Sequence, residues 1–197
     1  MAITVSKTRE MLVDVARQLF ARMGVDKTTM NDIAQAARKG RRTIYTYFKS
    51  KNEIYHAVIE TEMGKLYKTL ADASSTQLPA DQKLIAFIYA RLDAVKAVVF
   101  RNGTLKANFF RDICRVEKAR KDFDAKEIEL IKLILSDGVR EGLFRMPDVE
   151  MTANVLHFAL KGLEVPYIRG LMGDTLLQRI QRRDNVVNLI FNGIKLK

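Results

Sequence analysis

Apolar residues recur along this chain at three- and four-residue spacing, the period of helices that bury one face. Leu12, Val15, Ala16, Leu19, Phe20 and Met23 make one such stripe, and Gly24 behind them supplies a C-terminal stop. Thr29 followed by Asp32 has the form of a capping box, with Met30, Ile33, Ala34 and Ala37 repeating behind it, so a short second helix is expected. After a break at Arg38, Lys39 and Gly40, the segment 41–48 reads as a third helix with Ile44 and Phe48 on its inner side. Ser50 and Glu53 form another capping box, opening a long fourth helix that runs to about Asp72.

The stretch 73–79, closed by Pro79, is the clearest loop. Beyond it Leu84, Ile88, Leu92, Val95 and Val99 mark a fifth helix, broken at Asn102 and Gly103. A short sixth carries Leu105, Phe109 and Ile113, and a long seventh runs from about Lys118 to Glu141, with Ile128, Ile131, Leu135 and Val139 as its stripe and Gly142 as its stop. Two last segments, about 149–172 and 175–194, are parted by Gly173 and Asp174, and Pro166 should kink or shorten the first. Apolar alternation of period two is nowhere convincing, so the expected fold is all-α with about nine helices. A compact N-terminal domain over 1–49 is followed by a larger one over 50–197, linked by the fourth helix.

Composition narrows the function. In 197 residues, 48% hydrophobic and 29% charged is the balance of a chain that buries a real core. The longest apolar run, Leu84 to Ala90, is seven residues, whereas a bilayer span needs about 18. The first ten residues lack the apolar stretch of a secretory signal, so a cytoplasmic protein with no membrane partner is expected. The single Cys114 has no visible base partner and reads as a structural thiol. His56 and His157 have no second histidine or cysteine at ligand spacing, so neither a metal nor a cofactor is expected. Without a phosphate loop, an activated nucleophile or a metal cluster, a helical enzyme is a remote alternative.

Charge points to an anionic partner. The formal net charge is +11, and residues 1–60 hold 11 basic against 6 acidic side chains. Arg38, Lys39, Arg41, Arg42, Lys49 and Lys51 occur with no acidic residue between them. A solvated charged face is the plain explanation of such a run, and its helical setting decides against that. Three short helices with a three-residue turn between the second and third form a helix-turn-helix, whose last helix enters the DNA major groove. At 100 degrees per residue, Ile44, Phe48, Arg41 and Tyr45 share one sector, the inner one or its edge. Tyr45 is expected to pack its ring inside and extend its hydroxyl outward. The opposite sector receives Arg42, Thr43, Thr46 and Tyr47, side chains suited to reading base edges. Arg41, Tyr45 and Lys51 lie where phosphates would pass.

Residues 9–60 resemble the DNA-binding domain of the TetR/AcrR family of bacterial transcription regulators. The resemblance rests on ARQLFARMG (16–24), TTMNDIAQAA (28–37) and TIYTYFKSK (43–51), continuing through Asn52, Glu53, Ile54 and Tyr55. It implies a homodimer that binds a pseudo-palindromic double-stranded operator, usually as a repressor, and releases it when a small lipophilic effector occupies the C-terminal ligand-binding and dimerisation domain. By the same resemblance Thr29 matches a phosphate-contacting cap, and Asn31 a position that reaches a base or phosphate. Arg42, Thr43, Thr46 and Tyr47 match groove-facing positions, and Tyr45 and Lys51 recurrent phosphate contacts. The turn departs from the family pattern of Ala, Gly, a buried aliphatic, then Ser or Thr, because Ala37 is followed here by Arg38, Lys39 and Gly40. Its added charges favour backbone affinity over sequence choice; Arg38 takes the place of the turn glycine, Lys39 that of the apolar plug and Gly40 that of the hydroxyl cap, so a glycine shifted within the turn is expected.

In the C-terminal part, Phe87, Phe100, Phe109, Phe110, Phe123, Phe158 and Tyr167 are candidates to line an effector pocket, with plain core as the alternative for each. Leu156, Leu160, Leu163, Leu177, Ile180, Val187 and Ile190 are the candidate dimer interface, in which two helices per subunit pair across a two-fold axis. A constitutive DNA-binding protein whose C-terminal part only dimerises is the other reading.

Overall fold

A computed structural model of the chain describes residues 2–101, 113–168 and 184–192, and within them the side chains other than those of 2–6, 99–100, 113–119, 165 and 167–168. The described residues are helical apart from short turns, as the periodicity predicts. The elements are α1 (Ala2–Met23), α2 (Met30–Ala36), α3 (Arg41–Tyr47), α4 (Lys51–Ser74), α5 (Ala80–Arg101), α6 (Ile113–Arg140), α7 (Val149–Ile168) and α8 (184–192). Leu105 and Phe109 of the expected short helix lie outside the described residues, and Ile113, assigned to it, opens α6 instead. No described helix is long and apolar enough to cross a membrane. The chain packs as two compact units, Met1–Gly64 with Val98–Arg120, and Lys65–Ala97 with Lys121–Lys197.

The first unit is built around Leu12, Val13, Ala16, Leu19 and Phe20 of α1, which meet Ile33 and Ala34 of α2, Ile44 of α3, and Ile54, Tyr55, Val58 and Ile59 of α4. The Tyr55 ring stands edge-on to Phe20 with centroids 6.0 Å apart. Met23, the last residue of the expected α1 stripe, is exposed. The chain reverses beside it at Gly24, whose φ of +89° suits a residue without Cβ and whose N–H donates to Phe20 O at 3.0 Å.

The second unit draws its core from Leu84, Phe87, Ile88 and Leu92 of α5, Ile131, Ile134 and Leu135 of α6, and Ala153, Leu156 and Leu160 of α7. The buried face of α6 is rotated from the expected stripe, for Val139 is exposed while Phe123, Leu130 and Ile134 are buried. Ile131 and Leu135 of the expected stripe are buried and Ile128 is half-buried, and the wider buried face also contains a charge. Glu127 is fully buried, one turn from Phe123 and one from Ile131. Arg91, His157 and Glu164 likewise occupy core phases of α5 and α7. Arg91 Nε donates to Glu127, and its NH2 group donates to Glu164 Oε1 at 2.8 Å. Burial opposes the charge on Arg91, yet the two carboxylates outweigh it and hold the guanidinium above its ordinary pKa. Burial also pushes the Glu127 carboxyl up, and His157 with Arg91 more than reverses this, leaving it below the usual value. Such a pair adds little net stability against an apolar substitute, but losing one member would strand a buried charge at a cost of about 3–5 kcal/mol.

The C-terminus of α6 closes as a Schellman motif. Leu143 N–H donates to Gly138 O at 2.9 Å and Gly142 N–H to Val139 O at 3.1 Å, with Gly142 at φ +72°. The buried Phe144 ring then folds back over Gly138 and stands 6.1 Å, edge-on, from Phe191 of α8. A Cβ at position 138 would overlap that ring. Gly138→Ala is therefore expected to lower unfolding free energy by about 1–3 kcal/mol, as read by urea denaturation; an unchanged midpoint would show that the ring is free to move.

Candidate nucleic-acid interface

Two local structures set the pose of α3. The first is the start of α2, where Asp32 N–H donates to Thr29 Oγ1 at 3.1 Å and Thr29 N–H donates to Asp32 Oδ2 at 2.8 Å. This is the capping box that the spacing predicts. The Thr29 hydroxyl also donates to Asp32 Oδ2, at 2.8 Å, and these bonds hold the Asp32 carboxyl below its ordinary pKa. Although Thr29 is exposed, its hydroxyl proton is committed to the cap, and Asn31 beside it is exposed.

The second is the turn. Lys39 N–H donates to Ala34 O at 2.9 Å and Arg38 N–H to Gln35 O at 3.0 Å, the paired bonds of a Schellman ending of α2. The residue at its left-handed position is Arg38, at φ +52°, alone among the described non-glycine residues in having a positive φ. The glycine has therefore not moved to the place where it would relieve the turn. Gly40 is extended, at φ −66° and ψ 150°, and serves as the N-cap of α3 without a side chain to bond the first turn. Arg38, Lys39 and Gly40 are all exposed.

The helix so launched is seven residues long and is held by Ile44 and Phe48, 0% and 1% exposed. Phe48 is already outside it, at φ −142° and ψ 123°, with the Arg9 guanidinium 5.1 Å from its ring centroid. Extending the helical wheel to Phe48 therefore biased the expected inner sector. Tyr47 is half-buried against the core, Thr43 is half-buried, and Tyr45, expected inside, is 43% exposed with the Arg41 guanidinium 5.9 Å over its ring. The outward face consists of Arg41, Arg42, Tyr45 and Thr46. Thr46 donates its hydroxyl proton to Arg42 O at 3.1 Å, which leaves its methyl and an oxygen lone pair for a partner.

Lys51 is spent differently from the expectation of an open phosphate contact. Its ammonium donates to Val25 O at 2.7 Å and Asp26 O at 3.2 Å, tying the start of α4 to the loop before α2. The second capping box is also modified. Glu53 N–H donates to Ser50 Oγ at 3.2 Å, but the Glu53 carboxylate reaches one residue further back, to Lys49 N–H at 2.6 Å. No acidic residue stands between Asp32 and Glu53, so the face of α3 and its borders are uniformly basic.

Matched against known proteins, residues 12–58 fit the model of bacterial regulatory proteins, tetR family. The chain is 30% identical over 181 residues to the "Probable HTH-type transcriptional regulator ArpR" of Pseudomonas putida, spanning 87% of this chain and 81% of that one. The chain belongs to the tetR family. This regulator is also 46% identical over 50 residues, 25% of its length and 23% of the relative's, to the "Probable acrEF/envCD operon repressor" of Escherichia coli K12. A crystal structure of a transcriptional regulator from Cytophaga hutchinsonii superposes with a TM-score of 0.75 at 22% identity, covering 95% of this chain and 98% of that one. The regulator is thus a DNA-binding transcription factor rather than an enzyme.

Elsewhere in the regulator, the expected pocket and interface residues are dispersed. Phe87 and Phe123 are buried, and Phe158 is 61% exposed on α7. The side chain of Phe100, all of Phe109 and Phe110, and the side chain of Tyr167 lie outside the described residues. Of the expected interface, Leu156, Leu160 and Val187 are buried within the chain, Leu163 and Ile190 are half-buried, and Leu177 and Ile180 lie outside the described residues. The exposed apolar row of α7 is instead Met151, Val155 and Phe158, on the side of the helix turned away from Leu156 and Leu160.

Two substitutions test this geometry. Arg38→Gly should raise stability by about 1 kcal/mol by removing left-handed strain, while weakening binding to random-sequence duplex by loss of a charge; thermal denaturation and a salt titration read the two effects separately. Lys51→Met should cost about 1.5 kcal/mol of stability through loss of its charge-assisted bonds, measured by urea unfolding in the absence of DNA, where a pure phosphate contact would have no effect.

Proposed function

We propose that this regulator is a dimeric, effector-responsive repressor that reads an operator half-site with Arg41, Arg42, Tyr45 and Thr46 of α3. The observation that carries the reading is the exposure of these four side chains on a helix anchored by buried Ile44 and Phe48. Arg42 is the residue for a bidentate guanine contact, and the Thr46 methyl suits a thymine methyl. Arg41 and Tyr45 flank the reading positions, with Thr43 and Tyr47 at the inner edge of the same helix. Thr29, Asn31, Arg38 and Lys39 border the helix, where contacts to phosphate fix register without choosing sequence, and Lys51 acts beside them by holding the loop before α2.

Dimerisation is assigned to the exposed row Met151, Val155 and Phe158, since an apolar strip on a folded surface marks a partner and a two-fold axis makes one strip its own complement. We divide the regulator into a reading domain over 1–49 and a dimerisation and sensing domain over 50–197, joined by α4. A small lipophilic effector in the second domain shifts the separation of the paired reading helices away from the roughly 34–36 Å that two half-sites one turn apart demand.

Selection of bound duplexes from a random pool tests the reading. Two inverted half-sites with centres one helical turn or a multiple apart are expected, and a single unrepeated site would reject the dimer. Arg42→Ala should cost about 1–3 kcal/mol at the selected operator and relax preference at one base pair of each half-site; intact preference would move the reading function off this face.

A further inference from the structure

Asp124 and Glu127 lie one turn apart on α6 and face His157 of α7 within the second unit. The imidazole is fully buried, and neither of its nitrogens has a hydrogen-bond partner. Nδ1 lies 3.1 Å from Glu127 Oε2 without forming a hydrogen bond, and Nε2 lies 3.7 Å from Asp124 Oδ1, beyond hydrogen-bond distance. Leaving a buried polar group in that state costs about 1–3 kcal/mol. The two carboxylates are each half engaged. Glu127 Oε1 accepts from Arg91 Nε while its Oε2, on the imidazole side, accepts only a long bond from Arg91 at 3.5 Å, and Asp124 Oδ2 accepts from Lys161 while its Oδ1 faces the imidazole. Glu164 also bonds the Arg91 guanidinium, so Arg91 is shared between two carboxylates.

We infer that Asp124, Glu127 and His157 form a binding site for one divalent transition-metal ion. One donor atom from each residue lies within 4.8 Å of the others, so sub-ångström to ångström shifts bring all three to an ion at bond lengths of about 2.0–2.2 Å. One imidazole nitrogen with two carboxylate oxygens is a donor set for Zn²⁺, Co²⁺ or Mn²⁺ rather than for Cu⁺, which wants sulfur, or Ca²⁺, which wants only oxygen. Asp124 is half-exposed, which provides an entry side. Arg91 and Lys161 compete for the same carboxylates, so the site is of moderate affinity and sensitive to them. The site is independent of the operator reading and does not stand or fall with it.

The test uses untagged full-length protein stripped with chelator, with Co²⁺ and Zn²⁺ as probes. Co²⁺ is expected to develop the ligand-field absorption of a nitrogen and oxygen site at one equivalent, and each metal in excess is expected to raise the melting temperature. Asp124→Asn, a change at a half-exposed position, should abolish both responses, and His157→Leu should do the same. Lys161→Ala should tighten Co²⁺ binding by about tenfold, because it removes a cation a few ångströms from the ion. That gain separates a built site from adventitious surface binding, which Lys161 would not influence in this way. Absence of any response to Co²⁺, Zn²⁺ and Mn²⁺ would overturn the site. So would responses that persist in both Asp124→Asn and His157→Leu, or a wild-type melting temperature that rises on acidification and ignores metal, which would make His157 a proton acceptor instead.

Discussion

Burial of Ile44 and Phe48 is the constraint on which the reading surface depends. A seven-residue helix is too short to persist in water on its own, because nucleation costs more than so few hydrogen bonds return. Each buried side chain of this size contributes about 1.5–3 kcal/mol, and the two together fix both the existence of α3 and its rotation. Everything outward follows from that rotation. With Ile44 innermost, Tyr47 falls against the core and Arg42 and Thr46 point away from it. The anchors in turn need the α1 stripe, whose Leu12, Ala16 and Phe20 have no exposed surface. DNA recognition by this chain therefore begins in the interior of its first unit.

The parts of this arrangement that sequence makes legible are those with local causes. Thr29 and Asp32 sit three apart, and the hydrogen bonds between them close as that spacing demands. Gly24 and Gly142 stand where helices end, and both have positive φ. Legibility fails where a local rule is carried across a boundary. Helical phase carried to Phe48 runs past the end of the helix, and it turns Tyr45 inward and Tyr47 outward, the reverse of their observed exposure. Lys51 failed for another reason. Its partners are carbonyls 25 and 26 residues away, and nothing local to position 51 announces them.

The second unit hides its polar core because charged residues are read as surface by default. Arg91 stands three after Ile88 and four before Val95, and His157 four after Ala153 and three before Leu160. These are apolar phases of their helices, and a charged or imidazole side chain in such a phase is the signal that was available. Periodicity alone could not pair them. His157 stands 30 positions from Glu127 and 33 from Asp124, on another helix, so the absence of ligand spacing along the chain says little about ligand spacing in the fold. The same blindness affects the expected interface. Leu156 and Met151 are both apolar on one helix, and only the packing decides that the first is core and the second surface.

Arg38 and Lys39 show what the turn gives up and what it gains. The Schellman ending of α2 favours glycine at its left-handed position and an apolar residue next, and this chain places a guanidinium and an ammonium there. Left-handed backbone at a side-chain-bearing residue costs about 1–2 kcal/mol, and Lys39 forgoes the contact that an aliphatic residue would make with the end of α2. Neither loss is offset within the described hydrogen bonds of the turn, which are those any residue would make. The gain lies outside the folded chain: two cations, beside Arg41 and Arg42, on the approach to α3. Local rules broken side by side without an internal return are characteristic of sites shaped by a partner. A polyanion laid along this face supplies the missing term, because each phosphate neutralised there releases a counterion and adds affinity in any sequence. On the proposed reading the strained turn and the unstrained outward face of α3 divide the work, the one holding a duplex and the other choosing it.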